Sequence, residues 1–584
     1  MGPTRESLVL RSTPSPTLGG RSTIRRPAVS PAALRGLPPR LRLLRSRGSH
    51  RCSLELRDNV KTYFNDEETP VAHYSVINTT AGPVRGIAMA GTQSYLGIPY
   101  GEPTGGQNRF RPPRPRRPWS EVRDALHYAP SAPQPDIRIG PAGGDSILEL
   151  LYPRAGSPTE GSRTNEDCLS LNVWAPPADA GLVRPVMVWF HGGAFQHGSG
   201  NESVFAGGHL AREEGVVVVT VNHRLGALGF TRIPSIKGSA NAGMLDLVLA
   251  LEWVRDNIAA FGGDPGNVTI FGQSGGSMKV AALMCMPTAE GLFHRAIMQS
   301  GPAWRFITED VALENSSELA GRCETDLESL HRIPTTTLVD AAFDQARAAM
   351  SSGKMLDLSE GMWPGPSIEQ GILPQHPFAD GSPAAVAGIP LLIGSTAHDM
   401  AGLVGVPKDF DGLTDMDVQN MLGPTGVDDP AGLAAIYRRH FPSEMPYLLW
   451  TRVLTDLTFR GTSMRVSAAK ATQPAAVFHY LFDQRTDAAN GAFGSCHSLD
   501  LPYVFGTVDQ TPLTGSGQER RDVAKLMMRT WASFARSGSP AHTGLPRWPS
   551  WQESPNHAMM LGPRPQEVDL GNLVFTEQAA LPTA

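Results

Sequence analysis

Apolar positions in this chain come mostly in short unbroken runs. Pro185–Phe190 (PVMVWF), Val216–Val221 (VVVVTV), Val268–Phe271 (VTIF), Ala296–Ser300 (AIMQS), Pro390–Ser395 (PLLIGS) and Val477–Phe482 (VFHYLF) are such runs. Their content suits strands covered on both faces. Gly82–Gly86 and Ser94–Pro99 read as opening strands and turns, and Leu169, Leu171 and Val173 alternate as in a half-buried strand. Asn241–Ala260 places Leu245, Leu249, Trp253 and Ile258 near one helical face. Arg521–Arg536 does the same with Val523, Leu526, Met527, Thr530, Trp531 and Phe534. Residues 302–385 and 408–472 read mostly as helix and loop. Strands alternating with helices predict an α/β protein, with a mostly parallel sheet covered on both sides. The two helical stretches are then insertions at the carboxyl edge of the sheet, over the site.

One apolar run carries chemistry. After Val268–Phe271 come Gly272, Gln273, Ser274, Gly275 and Gly276, a G-x-S-x-G turn. A strand that ends in such a turn holds a serine hydroxyl clear of the sheet. The Ala-rich segment Met278–Met286 suits a helix whose first amides point at that serine. A glycine-rich loop with an incidental serine explains the same letters, so the assignment needs support from elsewhere. Pro185–Phe190 ends in His191, Gly192, Gly193, Ala194 and Phe195. Glycines there let backbone N–H groups approach a ligand, as an oxyanion hole requires, although an ordinary strand-end turn has the same form.

Charge and cysteine usage narrow the classes. The net charge of −5 gives no electrostatic case for nucleic acid. No apolar run approaches the roughly 18–20 residues of a membrane span. Residues 1–51 hold eleven Arg and one acidic residue, leaving 40 basic and 55 acidic residues in the remainder. That Arg-, Pro- and Ser-rich start, taken as residues 1–65, is expected to be a disordered tail; the single folded domain is expected over 66–580. The start lacks the apolar core of a secretory signal. The five cysteines, Cys52, Cys168, Cys285, Cys323 and Cys496, show no C-x-x-C spacing and no disulfide framework. A reducing cytoplasm is the expected compartment. The basic loop Tyr100–Trp119 reads as irregular structure pinned by Phe110 and Trp119 rather than as an anion site.

Several motifs occur together in order: YLGIPYGEP with RFRPPRP, EDCLSLNV, VWFHGGAFQHGSG, VNHRLGALGF, NVTIFGQSGGS, GLFHRAIMQSG, LLIGSTAHD and CHSLDLPYVFG. With them the chain resembles the type-B carboxylesterase/cholinesterase family of the α/β-hydrolase fold, from about Gly82 to Trp551. The resemblance implies a Ser-acid-His triad in that chain order. Ser274 carries over as the nucleophile and His497 as the base. Asp399, five residues after Gly394, carries over as the acid, where most relatives have Glu. Gly192, Gly193 and Gly275 carry over as oxyanion-hole donors. Ser300 resembles a position that supports the acid, and Gln273 stands where cholinesterases have Glu.

The implied reaction is hydrolysis of a small-molecule carboxylic ester through an acyl-enzyme, with no metal or organic cofactor. His497 takes the Ser274 proton, Asp399 orients the imidazole and backbone N–H groups hold the oxyanion. Activity should rise with pH as the histidine base loses its proton. Residues 120–165 contain no Trp, so a cation–π choline site is not supported. Cys168 lacks the upstream partner that secreted relatives have, since Ala132 precedes Pro133–Gln134. His398 reads as a loop histidine and Cys496 as a packed thiol. Two other readings stay open: a non-catalytic binding protein on the same fold, and an amide or carbamate hydrolase with the same triad.

Overall fold

A computed structural model describes residues 73–89, 91–135, 147–152, 163–177, 182–301, 303–351 and 361–571. The anticipated tail, 1–65, lies outside the described residues, as does 352–360 of the first insertion. The strands are β1 (His73–Asn78), β2 (Pro83–Met89), β3 (Thr92–Pro99), β4 (Arg123–Asp124), β5 (Ser170–Ala175), β6 (Arg184–Phe190) and β7 (Val217–Val221). They continue with β8 (Gly263–Gln273), β9 (Arg295–Gln299), β10 (Leu391–Thr396), β11 (Val477–Phe482), β12 (His557–Leu561) and β13 (Gln566–Asp569). All join one sheet in the order β1-β2-β3-β5-β7-β6-β8-β9-β10-β11-β12-β13, with β4 beside β2. From β7 to β12 every neighbouring pair is parallel. The outer pairs are antiparallel, apart from the short β4.

The unbroken apolar runs form this parallel centre because both faces are covered. Val186, Val188 and Phe190 of β6 join the core layer that contains Leu247 and Val254 of the helix Ala242–Asn257. Met187 and Trp189 join the opposite layer, with Met527 and Trp531 of the helix Glu519–Ser537. Alternate residues of one strand thus anchor opposite helical layers.

β5 departs from the expected half-buried strand, since all six of its residues are buried. Its polar member Asn172 is bonded within the protein. Asn172 Nδ2 donates to Thr220 Oγ1 at 2.9 Å and to Asn201 Oδ1 at 3.1 Å, while its Oδ1 accepts from Gly97 N at 2.8 Å. Hydrogen bonds, not solvent, satisfy Asn172. In the Tyr100–Trp119 loop, Phe110 is buried and Arg109 forms a two-pronged pair with Glu166 (2.7 and 2.5 Å). Arg117 pairs with Glu102 at 2.9 Å. These cations are matched by protein acids and do not form an anion site.

Chain order places a crevice at the carboxyl ends of β6 and β8. The connection from β6 runs to β7 on one side, and the chain then returns to β8 on the other. Loops leaving two such neighbouring strands diverge and open a cleft between them. Of the helical stretches, 408–472 contains helices Asp415–Leu422, Pro430–His440, Pro446–Thr455 and Gly461–Lys470. The first insertion contains Glu309–Arg322 and Thr335–Ser351.

Candidate active site

Ser274 stands at the end of β8, immediately before the helix Gly275–Leu283. Its φ of 57° and ψ of −126° lie outside the ordinary regions for a side-chain-bearing residue. Neighbours on both sides hold this strained turn. Ser274 N donates to Gln299 O at 2.8 Å, and Met278 N donates to Ser274 O at 3.1 Å. A Cβ on Gly272 would collide with the Gly276 backbone, and one on Gly276 would collide with Phe190 O. The flanking glycines are therefore required by close approach.

The turn after β6 faces this elbow. Gly193, Ala194 and Phe195 have consecutive positive φ values of 92°, 49° and 60°. Gly193 O accepts from Gln196 N and His197 N, and Phe195 O accepts from Gly226 N at 2.8 Å, which closes the turn. Gly192 packs close to the nucleophile: a Cβ there would lie 3.4 Å from Ser274 Cβ. A Cβ on Gly275 would lie 2.7 Å from Ala194 N. Gly192 and Gly275 thus lie against Ser274, with Gly193 next to Gly192 and packed against His197. Ala194 N, which the sequence did not single out because alanine carries no glycine signature, lies against Gly275 in the same turn.

Asp399 lies three residues beyond β10 and is fully buried. Its Oδ1 is 2.8 Å from His497 Nδ1, and its Oδ2 accepts from Thr396 N at 3.0 Å. A carboxylate on Nδ1 fixes that nitrogen as the protonated one and leaves Nε2 with its lone pair. Asp is shorter than the Glu of most relatives, yet the hydrogen bond is complete. Nε2 is 3.1 Å from Gln273 Nε2, the amide next to the nucleophile. Among the described residues no hydrogen bond joins His497 to Ser274 Oγ. Gln273 Nε2 is also 3.5 Å from Nδ1, so the amide lies against the imidazole ring beside both nitrogens.

Ser300 does not support the acid in the way the resemblance implied. Its backbone N donates to Gly394 O at 2.9 Å, but its Oγ is buried with no hydrogen-bond partner among the described residues. The Thr396 amide fills that role, because the turn after β10 folds back on the carboxylate. Other surroundings of Asp399 and His497 were also not read from the sequence. Asp500 is buried, and its Oδ2 accepts from Gln299 Nε2 at 2.8 Å. Burial, with the nearby Asp399 charge adding to it, outweighs that bond and pushes its carboxyl up to about 6. A π-turn, Asp456–Arg460, interrupts the second insertion and sets Phe459 against the His497 ring at 5.2 Å.

His398 is a structural histidine. It is fully buried, with Ser495 N donating to Nδ1 at 3.1 Å, Arg452 Nη2 3.1 Å from Nε2 and Glu444 Oε2 3.5 Å from Nε2. Burial and the Arg452 charge push it down to about 3. Cys496 is a buried free thiol, pushed well above its ordinary value by desolvation. Cys168, Cys285 and Cys323 are also unpaired. Among the described residues no cluster of His, Cys, Asp and Glu is arranged to hold a metal. No helix among them is long and apolar enough to cross a membrane.

Residues 73–578 match the Carboxylesterase family. The chain is 36% identical over 502 residues to the para-nitrobenzyl esterase of Bacillus subtilis, covering 84% of this chain and 95% of that one. It is 34% identical over 517 residues to a phenmedipham hydrolase of Pseudarthrobacter oxydans, covering 85% and 96%. Among solved structures it resembles an esterase from anaerobic Clostridium hathewayi that can hydrolyse aliphatic aromatic polyesters. The TM-score is 0.73 at 31% identity, and the match covers 87% of this chain and 99% of that one. The chain therefore belongs to the Carboxylesterase family and is a serine carboxylic ester hydrolase built on the α/β-hydrolase fold.

Proposed function

We propose that Ser274, His497 and Asp399 perform the ester hydrolysis. The observation that carries this reading is the 2.8 Å bond between buried Asp399 and His497, with the free face of the imidazole 3.1 Å from the residue beside Ser274. The Ser274 Oγ to His497 Nε2 bond closes on substrate entry; catalytic hydrogen bonds commonly close only in the complex. Oγ attacks the ester carbonyl while His497 Nε2 takes its proton. The carbonyl π electrons move onto oxygen, which is held by N–H groups of Gly192, Gly193, Ala194 and Gly275. Asp399 stabilises the imidazolium without taking its proton. The tetrahedral intermediate collapses, the C–O bond to the alcohol breaks, and His497 protonates the departing alkoxide. Water then repeats the sequence on the acyl-enzyme and releases the acid.

Substrate is a small carboxylic ester. Phe195, Met278, Phe306 and Met362, with Arg305, line a narrow recess beside the elbow. Labelling with a fluorophosphonate, followed by peptide mass analysis, tests the assignment. The label is expected on Ser274, and Ser274→Ala is expected to lose both labelling and p-nitrophenyl ester turnover. Turnover that survives in Ser274→Ala removes the serine from the mechanism. Matched p-nitrophenyl ester and p-nitroanilide substrates separate ester from amide cleavage.

A further inference from the structure

The helix that follows the nucleophile contains a lysine in an otherwise apolar stretch. Lys279 is fully buried. Its Nζ donates to His191 O at 2.7 Å and lies 5.5 Å from the centre of the Phe195 ring. Among the described residues it forms no ion pair and no other hydrogen bond. The titratable groups around it are histidines. His191 and His223 are stacked at 5.1 Å, and each points Nδ1 at a backbone carbonyl, Gly192 O and Arg224 O respectively. Desolvation and the Lys279 charge hold both well below the ordinary histidine value. The same two causes push half-buried His197 down to about 4. Arg224, next in line, is already paired with Asp246 at 2.6 Å. Among the described residues, the pocket around Lys279 therefore contains neutral rings and carbonyls but no anion.

Such a site is unfavourable for an ammonium in the resting protein. Burial alone pushes Lys279 down to about 7. The carbonyl it holds belongs to the His191–Gly192 peptide, which opens the turn facing Ser274. Negative charge appears across that turn only when an ester carbonyl becomes tetrahedral. We propose that Lys279 is the positioning residue of the oxyanion hole: its ammonium fixes the His191–Phe195 turn through the His191 carbonyl, polarises that peptide, and has the reaction's own oxyanion as its counter-charge. This inference rests on the Ser274 reading and deepens it.

Lys279→Met removes charge and donor, and Lys279→Gln keeps a donor without charge. Both are to be compared with the wild type for p-nitrophenyl ester turnover from pH 6 to 10, with circular dichroism to establish folding. An aryl trifluoromethyl ketone, which adds to serine as a tetrahedral oxyanion, reports on the hole directly. Both variants are expected to lose about 10- to 100-fold in kcat, somewhat less than loss of a direct oxyanion donor. KM should change less than about twofold, and ketone affinity should fall in proportion to kcat. Wild-type kcat/KM is expected to fall between about pH 7 and the ordinary lysine range, and that limb is expected to be missing from both variants.

A folded Lys279→Gln with wild-type kcat, ketone affinity and pH profile overturns the proposal. If neither variant folds, a wild-type profile that stays flat on the alkaline side does the same. A wild-type protein that takes no fluorophosphonate label and cleaves no ester overturns the Ser274 reading instead, so the two failures are distinguishable.

Discussion

The acid side and the oxyanion side of the site handle buried charge in opposite ways. Behind Asp399, Glu444 accepts from Arg485 at 2.8 and 2.7 Å and from Arg452 at 3.3 Å. Arg460 is paired with Asp456, whose Oδ2 also accepts from Tyr437 OH at 2.6 Å. Arg460 Nη2 reaches the carbonyls of Thr396 and Ala397 at 3.4 Å, in the turn that carries Asp399. Each of these cations has a fixed anion. Behind Gly192 and Gly193, Lys279 has none. Paired charge holds a geometry that is the same before and during the reaction. A lone cation is instead poised for a charge that exists only in the transition state.

The largest test of this contrast is at the acid. Asp399→Asn is expected to keep the fold and lose about 10⁴-fold in kcat, because the amide favours the wrong imidazole tautomer. Steady-state kinetics on the folded variant measure it. Equal loss on removing any neighbouring acid would mean that the acid side works as a diffuse field. Next is Glu444→Gln, which removes the carboxylate that buried Arg452 bonds and leaves it only the nearby Asp483 and Asp456 charges. A loss of about 3 kcal/mol in unfolding free energy is expected, at the low end for a broken buried pair because Arg485 is half exposed. Urea unfolding checks it. An unchanged midpoint would show that the pairs on this side are incidental.

The smallest effect concerns stability and pH. Burial tends to raise Glu444, but hydrogen bonds from His398 and Arg485 and the Arg452 charge outweigh it and hold the carboxyl well below its ordinary range. Its contribution is present above the unfolded value of about 4.3 and is lost as pH falls below it. Lys279 has the opposite sign of linkage. Its folded value of about 7 lies below the unfolded one, so the unfolded chain binds the extra proton between about pH 7 and 10.4. The penalty for burying it is full below about pH 7 and fades as pH rises. Lys279→Met is therefore expected to be more stable than wild type at pH 6, by an amount that shrinks toward pH 10. Thermal melts at the two pH values check this. A destabilised Lys279→Met at pH 6 would mean that the ammonium is held by favourable contacts, and the contrast would fail.

The same contrast separates what the letters revealed from what they did not. The G-x-S-x-G turn was legible because its glycines answer local crowding, such as Gly276 against Phe190 O. The parallel centre was legible because burial on both faces leaves unbroken apolar runs. Asp399 was reachable only through the family resemblance, which sets the acid five residues after Gly394. The partners of buried polar groups were not legible. Asn172 looked like a solvent-facing residue and is buried in a hydrogen-bond network; Ser300 looked like the acid's support, while the Thr396 amide provides it. Gln273 came from the motif, but its contact with His497 joins residues 224 apart in the chain. The cue for Lys279 was present, a single cation among MKVAALMCM, and it needed the three-dimensional list of its neighbours to acquire meaning.

Phe190, one residue before His191, lies opposite Gly272, two residues before Ser274, in the β6–β8 pair. A slip of one residue between these strands would shift the elbow by roughly 3.3 Å against the glycine turn and reverse its facing. Ester turnover recovered during refolding would then mark the point by which this seam is in alignment and the distant acid and imidazole have joined it.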